Sequence, residues 1–104
     1  MKVQINTGHN IERGEEMARW AEPVVENILG HFAKHITRIE VHISDANGEK
    51  GGEHDKRCVM EARLEGHQPI AVTHEAQAYD QAIAGAADKL KRFLGHALGR
   101  LPGH

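Results

Sequence analysis

Residues 79–101 read YDQAIAGAADKLKRFLGHALGRL. Tyr79, Ala82, Ile83, Ala86, Leu90, Phe93, Leu94, Ala97, Leu98 and Leu101 recur at steps of three and four, so one side of a helix is apolar along its whole length. Such a stripe needs a surface to cover, and the residues upstream supply one. Ile70 and Val72 follow Pro69, which cannot donate to a ladder and so suits a strand start or an edge strand. Gly66-His67 marks a compact turn. Before it, Cys58, Met60, Ala62 and Leu64 alternate with Arg57, Val59, Glu61, Arg63 and Glu65, the period of a strand with one apolar and one polar face.

Further upstream, Ile39, Val41 and Ile43 alternate with Arg38, Glu40, His42 and Ser44 in the same way. Residues 45–55 are polar and hold Asn47-Gly48 and Gly51-Gly52, so they read as a mobile loop. Met17, Trp20, Ala21, Val24, Val25, Ile28, Leu29 and Phe32 predict an amphipathic helix from about residue 13 to 32. Pro23 falls within it, and the unbroken stripe from Met17 to Ile28 favours a kink over a later helix start. Val3 and Ile5 mark a short first strand that ends at Thr7-Gly8-His9-Asn10. The order is β-α-β-β-β-α, an α+β fold in which two helices cover the apolar face of a four-stranded sheet and the polar face meets water.

The chain has 104 residues, 39% hydrophobic and 27% charged, which fits one globular domain spanning 1–104. No apolar run is long enough to cross a bilayer, and the N-terminus lacks a secretory signal, so a cytoplasmic protein is expected. The single cysteine, Cys58, sits at an apolar strand position and reads as a buried structural thiol.

Thirteen Lys and Arg against fifteen Asp and Glu give a net charge of −2, so composition alone does not point to nucleic acid. A basic stripe on one face can still create a local field of the opposite sign. Lys89, Arg92, His96 and Arg100 form such a stripe along one flank of the second helix, with no acidic residue after Lys89. These cations also sit favourably near the helix C-terminus, so a merely solvated flank is the competing reading. The nine histidines make binding sensitive to mild acid.

No nucleophile with a neighbouring base, no Gly-rich phosphate loop and no apolar carboxylate pair is visible, so no enzyme is expected. His31 and His35 are four apart, but no third and fourth ligand accompanies them, and no metal or other cofactor is expected. Asp45-Ala46-Asn47-Gly48 lacks the ligand repeat of a calcium loop and reads as a turn.

The stretch YDQAIAGAADKLKRFL resembles the second helix of the hibernation-promoting factor and ribosome-associated inhibitor family, in its short, sigma-54 modulation protein-like form. Ala82, Ile83, Gly85, Asp88, Lys89, Leu90, Arg92 and Leu94 carry the likeness, and the opening VQINTGHNIE is similar to the family's first strand and turn. The resemblance implies a double-stranded-RNA-binding-like fold and a ribosome-associated translation inhibitor. Its implied place is the mRNA/tRNA channel of the small ribosomal subunit, on 16S rRNA, and a separate ribosome-dimerising factor is a further implied partner. It implies neither a membrane nor a small-molecule substrate.

Carried over by position, Lys89, Lys91, Arg92, Arg100 and His96 are the helical RNA-binding candidates. Lys56, Arg57 and Arg63 are the candidates on the third strand. The ending FLGHALGRLPGH has fewer lysines than the family pattern, which implies weaker or more pH-dependent RNA binding. The chain ends at His104 without the second domain of long family members, so autonomous ribosome dimerisation is not expected. The alternative is a self-associating α/β module, drawn from the outward Val59 and an edge strand at Pro69.

Overall fold

The computed structural model describes residues 1–8, 14–45 and 56–98. The strands are β1 (Lys2–Thr7), β2 (Ile36–Asp45), β3 (Lys56–Leu64) and β4 (Ile70–Ala76), and the helices are α1 (Gly14–Leu29) and α2 (Tyr79–Leu98). A 3-10 turn, Gly30–Phe32, follows α1. The expected β-α-β-β-β-α order is therefore present. The predicted loop at 45–55 falls almost entirely outside the described residues, as do Arg100 and Leu101.

The four strands form one sheet in the order β1-β2-β3-β4, so β1 and β4 are its edges. β1 lies parallel to β2, with Val3 opposite Ile39 and Ile5 opposite Val41. A parallel neighbour requires a crossover, and α1 provides it. The remaining pairs are antiparallel, with Met60 opposite both Val41 and Val72. Gly66 turns the chain between β3 and β4 with φ at 77°, a left-handed backbone that glycine adopts without a Cβ penalty.

Alternation places Ile39, Val41, Ile43, Cys58, Met60, Ala62 and Val72 in the core, beneath Ala21, Val25 and Leu29 of α1 and Ile83, Leu90, Leu94 and Leu98 of α2. α1 packs on β1, α2 on β3 and β4, and the helices pack on each other. Pro23 lies inside α1, nine residues after its start at Gly14, so the helix does not begin near Ala21. Glu15 and Glu16 occupy its first turn, where the helix dipole favours negative charge.

Cys58 is fully buried, and desolvation pushes its thiol up to about 12. Because the folded state holds this proton more tightly than the unfolded chain, the stabilisation is complete below the ordinary thiol value of 9.0 and fades as pH rises toward 12. A thiol reagent at pH 8 should leave Cys58 unlabelled in the native protein and label it fully in denaturant. Rapid native labelling would contradict the buried placement.

Three residues of the predicted stripes lie outside the core. Trp20 is 42% exposed and Phe93 is 56% exposed, and Ala97 faces solvent. In α2 the buried ladder runs Ala82, Ala86, Leu90, Leu94 and Leu98, a strict step of four. Each such step advances the contact line by about 40° around the axis. By the last two turns the contact line has moved away from Phe93 and Ala97. In α1 the ladder Ala21, Val25, Leu29 does the same, with Trp20 beside it.

Candidate nucleic-acid interface

α2 crosses β3 and β4, and its outer flank forms a groove with the edge strand. The groove has a volume of about 520 Å³ and is lined by Ala71, Val72, Thr73, Lys89, Arg92, Phe93 and His96. Three of the sequence candidates, Lys89, Arg92 and His96, therefore meet on one wall. Lys91 does not line it, because Lys89 and Lys91 fall on opposite sides of the inward Leu90, about 200° apart. Arg100 lies outside the described residues.

The cations of the groove differ in how firmly they are held. Lys89 is half-buried, and its Nζ donates to the Thr73 carbonyl at 2.9 Å, tying the helix to the edge strand. Arg92 is exposed and pairs with Asp88 one turn back at 3.3 Å. An exposed pair of this kind is worth about 0.3–0.5 kcal/mol, so a phosphate can replace the carboxylate at little cost.

The third-strand candidates are placed differently. Lys56 registers with Asp45 and Ala76, on the helix-covered side of the sheet. Its Nζ donates to Asp45 at 2.9 Å and lies 5.2 Å from the centre of the Tyr79 ring. Arg57 and Arg63 project from the open face, where both are engaged by carboxylates. Arg57 donates through Nε and Nη2 to Glu75 Oε2 at 3.0 and 2.8 Å. Arg63 donates to Glu40 at 2.9 Å and pairs with Glu61 at 3.2 Å.

The ladder puts Arg38 opposite Arg63 and Glu40 opposite Glu61, like charges that would repel. Glu40 resolves this by accepting from Arg38 on its own strand and diagonally from Arg63. The hydrogen bond from Arg63 and the charges of Arg38 and Arg63 hold its carboxyl below the usual carboxylate range, against a smaller desolvation effect. This hub was not among the candidates, since only the strand register reveals it. Phe93 was missed for a related reason. Sequence spacing assigned it to the core, and the structure places it on the wall of the groove.

His31 packs edge-on against Phe32, with ring centroids 5.1 Å apart. Among the described residues, no three His, Cys, Asp or Glu side chains gather to hold a metal ion. No helix among them is long and apolar enough to cross a membrane.

A mixed four-stranded sheet with both helices on one face and a basic flank along the second helix defines a small α+β module. Residues 4–101 match the family described as sigma 54 modulation protein / S30EA ribosomal protein, and the chain belongs to that family. A search of curated protein sequences gives no match. Among solved structures, the N-terminal domain of Protein Y from Thermus thermophilus superposes with a TM-score of 0.73 at 18% identity, covering 93% of this chain and 99% of that one. A ribosomal subunit interface protein from Coxiella burnetii gives 0.72 at 16% identity, covering 96% of this chain and 100% of the other. At these identities the two structures establish the fold.

Proposed function

We propose that this protein is a ribosome-associated translation inhibitor and hibernation factor that acts by binding, without chemistry of its own. Its target is the small ribosomal subunit, on 16S rRNA in the mRNA/tRNA channel, and its place is the cytoplasm. Residues 1–104 act as one ribosome-binding domain. Family membership supports this reading, as does the printed description of the Coxiella burnetii relative as a ribosomal subunit interface protein.

The observation that carries the mechanism is the contrast between the two surfaces. Lys89, Arg92 and His96 converge on one groove, whereas Arg38, Arg57 and Arg63 on the open sheet face are paired with Glu40, Glu61 and Glu75. Phosphate binding through the sheet would first have to break those pairs. Binding through α2 displaces only Asp88. Self-association through β4 is less favoured, because Lys89 of α2 donates to the Thr73 carbonyl and engages an acceptor of the strand that would have to pair.

Sedimentation of cell lysate through sucrose gradients tests the proposal. The protein should travel with small subunits or whole ribosomes at low salt and be released at high salt, because several phosphate contacts release several counterions. Free migration at every salt concentration would refute it. In the same assay Arg92→Ala should lower the slope of log affinity against log salt by about 0.9. Arg57→Ala and Arg63→Ala should change that slope less, and equal or larger effects on the strand would move the interface to the sheet.

A further inference from the structure

Phe93 is the most exposed large apolar side chain among the described residues, and core packing does not explain its placement. It is a large aromatic side chain, 56% exposed, on the wall of a groove whose other members are three basic side chains and the edge strand. Contact with a duplex backbone calls for cations and gains little from an exposed ring. A ring beside cations, over an apolar floor, is the arrangement that holds an unpaired base and its phosphate.

We propose that the groove between α2 and β4 takes one unpaired nucleotide of an RNA strand, with the base stacked on Phe93 and the phosphate on Arg92 and His96. The proposal rests on the ribosome-binding reading and adds the kind of RNA that this site selects. Its volume, about 520 Å³, lies within the range of small-ligand clefts. Val72 supplies a buried apolar floor, and the exposed Ala71 and Thr73 border it along the edge strand. Lys89, held to the Thr73 carbonyl, closes one side and fixes the distance between strand and helix. The arrangement is specific for a base with a phosphate attached. Stacking supplies no charge neutralisation, and the cations supply no surface for a ring.

Among the described residues, the open sheet face offers no comparable site. Its arginines are engaged by carboxylates, and Val59 there is only half-exposed. Trp20 is also exposed, but it does not line the groove, whereas Phe93 shares the groove wall with Lys89, Arg92 and His96.

The test compares binding of an unstructured, labelled single-stranded RNA of about eight nucleotides, within the usual site size of such grooves, with that of a blunt RNA duplex of the same length. Phe93→Ala should weaken binding of the single strand about tenfold and leave the duplex unchanged, while Phe93→Tyr should bind the strand like wild type. A strand of abasic nucleotides should bind wild type as weakly as the intact strand binds Phe93→Ala. This arm needs no variant to fold.

Equal loss for strand and duplex, or no loss for either, overturns the proposal. Free mononucleotide binding as tightly as the strand also overturns it, since the site would then serve a small ligand. Ribosome sedimentation is measured in parallel. If wild type travels with ribosomes while the strand assay shows no dependence on Phe93, the nucleotide site fails and the ribosome reading stands. If wild type never travels with ribosomes, the ribosome reading itself fails.

Discussion

Reversing two of the groove's three basic side chains, Lys89→Glu with Arg92→Glu, should abolish ribosome pelleting and relieve inhibition of cell-free translation. Each change removes a phosphate partner and places a negative charge beside RNA, so the affinity loss should be on the order of 100-fold at low salt and should shrink as salt screens the repulsion. The variant should still fold. Arg92 is exposed and loses only its pair with Asp88, worth about 0.3–0.5 kcal/mol.

Lys89 is the more expensive position. Its bond to the Thr73 carbonyl is lost as well, at about 1 kcal/mol. Circular dichroism and thermal melting establish folding, and Arg92→Glu alone provides a variant without the Lys89 contribution. Lys91→Glu is the matched control, because it makes the same charge change on the opposite flank of α2 and should lose much less affinity. If the folded double variant pellets and inhibits like wild type, or if Lys91→Glu is equally damaging, the groove is not the RNA-facing surface.

The second large effect is expected at Gly85, where α2 passes closely over β4. A Cβ at Gly85 would collide with Cδ2 and Nε2 of the His74 ring. The ring must therefore move, and forced overpacking of this sort costs about 1–3 kcal/mol. Against it stands a gain of roughly 0.5–1 kcal/mol from replacing glycine inside a helix. Gly85→Ala should thus lower stability by about 1 kcal/mol, within a range of roughly 0–2.5, with a fall in Tm of roughly 4–8 °C per kcal/mol for a domain of this size.

Adding Gly85→Ala to His74→Ala should instead raise stability, since the obstructing ring is gone and the helical gain remains. The sign change between the two backgrounds is a direct measure of coupling between the residues. A Gly85→Ala protein that melts above wild type would show that the helix and strand are not held at the observed separation.

Much of the architecture was legible along the chain because it depends on local periodicity. Alternation in Arg38–Ser44 and Arg57–Glu65 identified two strands and their buried faces. The stripes of α1 and α2, with the turn at Gly66, identified the helices and the order of elements. Pro69 placed β4 as a strand start or an edge, and β4 both begins directly after it and forms one of the sheet's two edges. The family resemblance rested on side chains adjacent along α2, and the match over residues 4–101 agrees with it.

What the chain alone could not determine is what depends on angles and registers between distant elements. The tilt of α2 across the sheet decides that Leu94 and Leu98 are buried while Phe93 and Ala97 are exposed. Periodicity defines a stripe but not the line along which a neighbour meets it. The register of β2 against β3 sets Glu40 diagonally beside Arg63, and that of β3 against β4 sets Arg57 beside Glu75. Those pairs engage strand cations that the family resemblance had offered as further RNA-binding candidates, and they name the carboxylates, Glu40 and Glu75, that the chain alone did not assign. Local propensity acts within one turn or a few strand residues. Charge compensation acts over a few ångströms of space, across residues such as Glu40 and Arg63 that are 23 positions apart, and only the folded sheet brings them together.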